Sequence, residues 1–183
     1  MRPPYRLLSE REKRPPSVSS RMQLKPLHDL FIETMMSQLQ DWKFIASNRH
    51  FRLSKPGTNF YLHAAFINHQ SDFDVVLDVA IEFVKGKNRV GIVGAELGNI
   101  EGIGQVRHSV SSHAEASSAA MTAVADFNRV GLPFLERYCS LSAVIGALQA
   151  SGAEARLISP IEQLRPELIS ALLAAQDAAH PVN

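Results

Sequence analysis

The sequence predicts an α+β fold made of an N-terminal helix, a four-stranded antiparallel meander sheet and several C-terminal helices. Three observations carry this. Apolar residues recur at helical spacing from Leu27 to Trp42, two-residue alternation dominates from His50 to Leu97 between short turns, and helix-start signals return from Ser112 onward. At 183 residues, 45% of them apolar and 20% charged, the chain suits one domain with a core that needs no disulfide or metal staple.

Residues 1–23, "MRPPYRLLSEREKRPPSVSSRMQ", hold four prolines, four serines and little apolar content, the composition of a disordered basic arm. The arm carries six Lys/Arg against two Asp/Glu and leaves thirteen against sixteen for the remainder, so residues 24–183 are mildly acidic within a net charge of +1. It reads either as a nucleic-acid or membrane contact or as sequence ahead of a true start at Met22. Glu10 and Glu12 disfavour a transit peptide.

Residues 24–183 read as a single α+β domain. From Lys25-Pro26 the stripe Leu27, Leu30, Phe31, Met35, Leu39 and Trp42 predicts the first helix, with Pro26 in its first turn. "HFRLS", the turn "KPGTN", a strand from Phe60 to about Asn68, a strand from Asp74 to Val84, the turn "KGKN" and "RVGIVGAEL" make the meander. "NIEGIGQVRHSVSS" follows as a flexible connection. Ser112 with Glu115 has capping-box spacing before a long helix that Gly131 and Pro133 are expected to break or bend. Ser140 starts and Gly152 stops the next helix. Ser159 with Glu162 starts the last, where Pro166 divides a short first turn from the main run; residues 153–183 form a C-terminal helical extension.

The alternation also assigns faces. Phe60, Leu62, Ala64 and Phe66 are more apolar than their neighbours, as are Val75, Leu77, Val79, Ile81 and Phe83. Facing both sets inward requires a loop centred near Gln70, which sets Phe66 opposite Val75, Leu62 opposite Val79 and, on the outer face, His63 opposite Asp78. Phe51, Leu53, Val90 and Ile92 then join the core. The outer face presents His50, Arg52, Tyr61, His63, Asp78, Glu82 and Arg89 around a small-residue floor of Ala65, Ala80, Gly91, Val93 and Ala95. These seven side chains are the candidate binding residues. The ordinary alternative is a solvated face with cross-strand pairs contributing about 0.2–1 kcal/mol each.

Signatures of chemistry are sparse. His63 and His69 lie roughly 20 Å apart along a strand, and His108 with His113 lies in a loop leading to a helix cap, so neither pair predicts a metal site. Asp74, Asp78 and Glu82 spread over roughly 26 Å instead of converging on one cation. No nucleophile elbow, zinc-protease helix motif or P-loop occurs, and the glycines from Gly91 to Gly104 miss the dinucleotide fingerprint. Cys139, the single cysteine, is expected to be a buried, inert thiol. No cofactor or metal is expected, and catalytic residues are not identifiable. No apolar run reaches the ~18 residues of a membrane span and no signal-peptide stretch follows the first basic residues, so a cytoplasmic location without membrane contact is expected. Basic residues of the folded part cluster only locally, which leaves nucleic acid to the arm alone.

The succession of a helix, "WKF", "HFRL", a strand ending "INHQSDFDVVLDVAIEF" and a helical segment with "GLPFLERY" resembles a bacterial family known as a domain of unknown function. Some of its members look like neighbours of toxin and immunity genes. The likeness covers about residues 24–148 and carries no active-site residue to transfer. It implies a small cytosolic protein-binding domain, of immunity type, that occludes a partner protein's surface. Two alternatives stay open: an enzyme with its site between the glycine-rich loop and the outer face, using His63, Asp78 or His108 as acid/base groups, and a nucleic-acid-associated protein acting through the arm.

Overall fold

The computed structural model describes residues 18–85, 88–150, 152–159 and 162–177. It is α+β, as the periodicities predict. Helix α1 spans Val18–Gln38, and its buried stripe of Leu24, Leu27, Phe31 and Met35 continues the predicted spacing by one turn toward the N-terminus. Residues 18–23, assigned from sequence to the arm, therefore belong to α1; the rest of the arm lies outside the described residues. Pro26 sits inside the helix instead of at its start. An interior proline removes one backbone bond, and the deep burial of Leu24 and Leu27 on either side offsets it.

Among the described residues six strands follow where four were expected. β1 (Lys43–Ile45), β2 (His50–Lys55), β3 (Thr58–Asn68), β4 (Phe73–Lys85) and β5 (Asn88–Glu96) form an antiparallel sheet in sequence order. The connection read as a flexible loop holds α2 (Leu97–Glu101) and then β6 (His108–Val110), which pairs Phe73–Val75 of β4. β5 occupies the same edge of β4 from Asp78 onward, so two short partners share one long strand. Neither β1 nor β6 exceeds three residues, too short for periodicity to reveal.

The β3–β4 register is the predicted one: Phe66 opposes Val75, Leu62 opposes Val79 and His63 opposes Asp78. Phe60, Leu62, Ala64, Val75, Leu77, Val79, Ile81 and Phe83 are buried in one cluster with Phe51, and Leu53 and Phe66 pack against it. The assignment of β5 needs correction. Phe83 pairs with Val90 but Glu82 pairs with Ile92, so Gly91 is an extra residue in a β-bulge. The bulge inverts the parity beyond it. Val93, opposite Ile81, is fully buried, Ala95, opposite Val79, packs against the core, and position 92 moves to the outer side. Gly94, not Gly91, lies beside Ala80 in the outer floor, where a Cβ would come within 2.8 Å of the Val79 carbonyl oxygen.

The helices cover the inner face. α3 (His113–Asp126), a π turn (Phe127–Gly131) and α4 (Leu132–Arg137) form one run, so Gly131 and Pro133 do not break it; the wider turn absorbs both. Gly131 is needed for contact, since a Cβ would lie 2.7 Å from Phe127, 2.8 Å from Leu97 and 3.0 Å from Val79. Ser112 caps α3 by accepting from the Glu115 amide at 3.3 Å, while the Glu115 carboxylate returns to accept from the Ser111 amide and hydroxyl. α5 (Leu141–Ala150), with its start at Ser140 as expected, α6 (Ala153–Ile158), a 3₁₀ turn (Glu162–Leu164) and α7 (Arg165–Asp177) complete the layer. Pro166 falls in the first turn of α7, after the short 3₁₀ segment, as predicted. Arg165 ties this junction by donating from Nε to the Ser159 carbonyl at 2.9 Å. Cys139, expected to be buried, is exposed in the link between α4 and α5.

Val79 faces Leu62 across the hairpin and touches the space that Gly131 leaves, at 1% exposure. Val79→Asp is expected to abolish folding, because a carboxylate without a partner there costs several kcal/mol, a large share of the ~5–15 kcal/mol that stabilises a domain. Far-UV circular dichroism and solubility check this; a soluble variant with a cooperative melt would place the core on the other face.

Candidate functional site on the outer sheet face

β2, β3 and β4 each present alternate residues to the outer face, and the register stacks them into rows across the sheet. One row reads Ile45, His50, His63, Asp78; the next reads Lys43, Arg52, Tyr61, Ala80, Gly94. All seven residues expected on this face line one open depression of about 540 Å³, together with Ile45, Asn48 and Ala80. Every lining residue belongs to the sheet or to the β1–β2 turn. Ala80 and Gly94 keep the middle row low, and polar side chains rise on either side.

Glu82 is the most buried charge of the face, its side chain only 7% exposed. Oε2 accepts from Asn59 Nδ2 and from the Tyr61 hydroxyl, each at 2.8 Å, and Arg89 Nη1 donates to Oε1 at 2.9 Å and to Oε2 at 3.1 Å. Burial pushes its carboxyl up, but the bonds from Asn59, Tyr61 and Arg89 outweigh burial and hold it below the ordinary glutamate value. Burial, joined by Glu82, raises the Tyr61 hydroxyl above its ordinary value.

His63 Nδ1 lies 2.9 Å from Asp78 Oδ2, with both side chains partly exposed. That bond raises the imidazole above 6.5, against a smaller opposing effect of burial. His50, the cross-strand neighbour of His63, goes the other way: burial lowers it first, and the nearby His63 and Arg52 add to the shift. Its ring meets Tyr61 edge-on at 5.1 Å. Chemically, the His63–Asp78 pair can hold a proton and present Nε2, while Arg52 and Arg89 supply planar cationic donors.

Asp74, farther along β4, has partners of its own. Asp74 accepts from Ser109 at 2.7 Å and lies 3.2 Å from both His69 and Arg107, so its carboxyl is held below the ordinary value, first by Ser109. Ser109, within β6, and Arg107, immediately before it, are the polar partners sequence reasoning missed, because a three-residue strand leaves no period. Among the described residues no group of three or more His, Cys, Asp or Glu is placed to hold a metal ion. His108 is not part of the outer face. It sits opposite Val75, is 9% exposed, and approaches Asp126 of α3 at 3.8 Å on the inner side, where burial lowers its imidazole. Of the three acid/base groups the enzyme alternative named, His63, Asp78 or His108, only the first two therefore stand on the outer face.

Fold and face together define an α+β protein with helices on one side of a bulged antiparallel sheet and a polar seat on the other. No protein-family model matches the chain, and no curated protein or solved structure matches it.

Two expected outcomes follow from the geometry. His63 titrates above 6.5 by NMR, and Asp78→Asn lowers that value. Because the folded value is raised, the stabilisation from this pair is full below 6.5 and is lost as pH rises through the folded value; an unchanged titration in Asp78→Asn would mean the pair does not form. For Glu82, whose value is depressed, the stabilisation is present above the ordinary 4.5 and disappears as pH falls through the folded value. Glu82→Gln is expected to lower stability at neutral pH by about 1–3 kcal/mol in urea unfolding, since it removes a charged acceptor of several bonds.

Proposed function

We propose that this protein is a small binding domain that seats a partner protein on the outer face of its sheet and acts by occluding the partner's surface, without catalysis. One observation carries the reading: seven polar side chains surround a low floor in an open depression lined only by sheet and turn residues. An enzyme site generally encloses its reacting groups and excludes water, whereas this face is broad and its acid and base groups are largely bonded to one another. Pre-paired charges on a rigid sheet lose little side-chain freedom on docking, which favours recognition. The resemblance of residues 24–148 to a bacterial family with members near toxin and immunity genes supports an immunity-type role. Among the described residues no helix is long and apolar enough to cross a membrane, and action in the cytoplasm belongs to this proposal.

The test is calorimetry of the full chain against the protein encoded by the gene immediately upstream. A saturable one-to-one complex is expected. Ala80→Arg, which raises a long side chain from the floor, should abolish it while the melting temperature stays unchanged. No complex, or one that tolerates Ala80→Arg, overturns the proposal.

A further inference from the structure

The depression is not electrically neutral in what it leaves available. Its two carboxylates are already engaged, Glu82 by three donors and Asp78 through Oδ2 by His63. Its cations are less engaged. Among the described residues no carboxylate pairs with Arg52, and Arg89 uses one terminal nitrogen on Glu82 while its side chain stays 64% exposed. His63 spends Nδ1 on Asp78 and retains Nε2.

A second observation points the same way. Arg52 stands directly opposite Lys43 in the β1–β2 pairing. Two cations therefore stand side by side at this end of the row, where an incoming carboxylate can meet both. Asp74 and Glu96 do not supply that anion: both lie outside the depression, Asp74 bonds Ser109 and Arg107, and Glu96, opposite Asp78 on β5, accepts from Gln105 through Oε2 while its Oε1 has no hydrogen-bond partner among the described residues.

From this donor excess we infer that the depression accepts an acidic segment of the partner protein, with one carboxylate meeting Arg52 beside Lys43 and a second meeting Arg89. The inference rests on the binding-domain reading and names the chemistry of the partner. Arg52 on β2 and Arg89 on β5 are three strands apart, about 14 Å at ~4.8 Å per strand, and Arg89, opposite Val84, lies a further ~13 Å along β4 from the row of Arg52 and Ala80, so the line between them runs diagonally over roughly 19 Å. Residues i and i+5 of an extended segment span about 17 Å, and the Arg89 side chain leans from its own row to Glu82, so such a segment can pass diagonally over the sheet beside Ala80. A guanidinium binds a carboxylate through two parallel bonds, which gives the site direction as well as charge. Tyr61 and Ala80, which follow Arg52 in its own row, carry no positive charge, which favours spaced carboxylates over a continuous phosphate backbone.

The experiment uses the full chain and labelled hexaglutamate as the probe, followed by fluorescence anisotropy and by NMR of the His63 ring and the Arg52 and Arg89 side chains. Saturable binding that weakens about tenfold or more in Arg52→Glu is expected, with the same direction in the milder Arg52→Gln and a melting temperature that is not lowered in either. Added salt should weaken it further. Absence of saturable binding, binding that both variants retain, or equal binding of hexalysine overturns the inference. So does an RNA decamer binding more tightly than hexaglutamate, which would reassign the site to nucleic acid, or inorganic phosphate competing at equal concentration, which would reassign it to a small anion. A complex with the upstream protein that is lost in Ala80→Arg but kept in Arg52→Glu would leave the binding role standing and remove the acidic segment.

Discussion

The pairing of β3 with β4 is the constraint on which the rest of the molecule depends. Eleven residue pairs run unbroken from Thr58–Phe83 to Asn68–Phe73, and parity along them decides every side chain's direction at once. A one-residue slip would carry Leu62, Val79 and Ile81 into water and Asp78 and Glu82 into the core. Both outcomes are heavily unfavourable, so one register excludes its neighbours. The inner surface so defined supplies the bed for α1, for the π turn over Val79 and for the C-terminal helices. The outer surface receives the polar remainder.

Charge on that outer surface is arranged by the same geometry. Asp74, Asp78 and Glu82 recur every fourth residue of β4, far enough apart for each to acquire its own basic partner: Arg107 with His69, His63, and Arg89. Their order along the strand separates three networks that would otherwise compete. Glu82 is the deepest of these residues and the most fully bonded, which lets a carboxylate remain ionised at 7% exposure. Among the described residues no carboxylate pairs with Arg52 or Lys43 at the β1–β2 side, so the acidic networks of the face are anchored at β4.

The Gly91 bulge shows how a local irregularity repositions a site. An extra residue in β5 turns Val93 and Ala95 inward, fills the inner face under Ile81 and Val79, and brings Gly94 up beside Ala80. Without it, valine and alanine side chains would occupy the floor and the depression would be shallower. The strand that narrows the core and the strand that opens the seat are therefore the same.

The sequence by itself determined the fold class, the β3–β4 register and the seven residues of the outer face. Those features rest on two-residue alternation in long strands, where hydrophobic burial rewards one parity and the pattern is written out residue by residue. It also marked the caps at Ser112 and Ser140 and the Pro166 junction, since those signals depend on neighbours in the chain. Only the tertiary structure decided the parity of β5 beyond Gly91, the pairing of β6 with β4, the inward position of His108 and the exposure of Cys139. Each of these is settled by contacts between segments distant in sequence. A bulge forms where a partner strand and the helices beneath it make the extra residue favourable, and a three-residue strand exists only because a long neighbour leaves part of its edge unpaired.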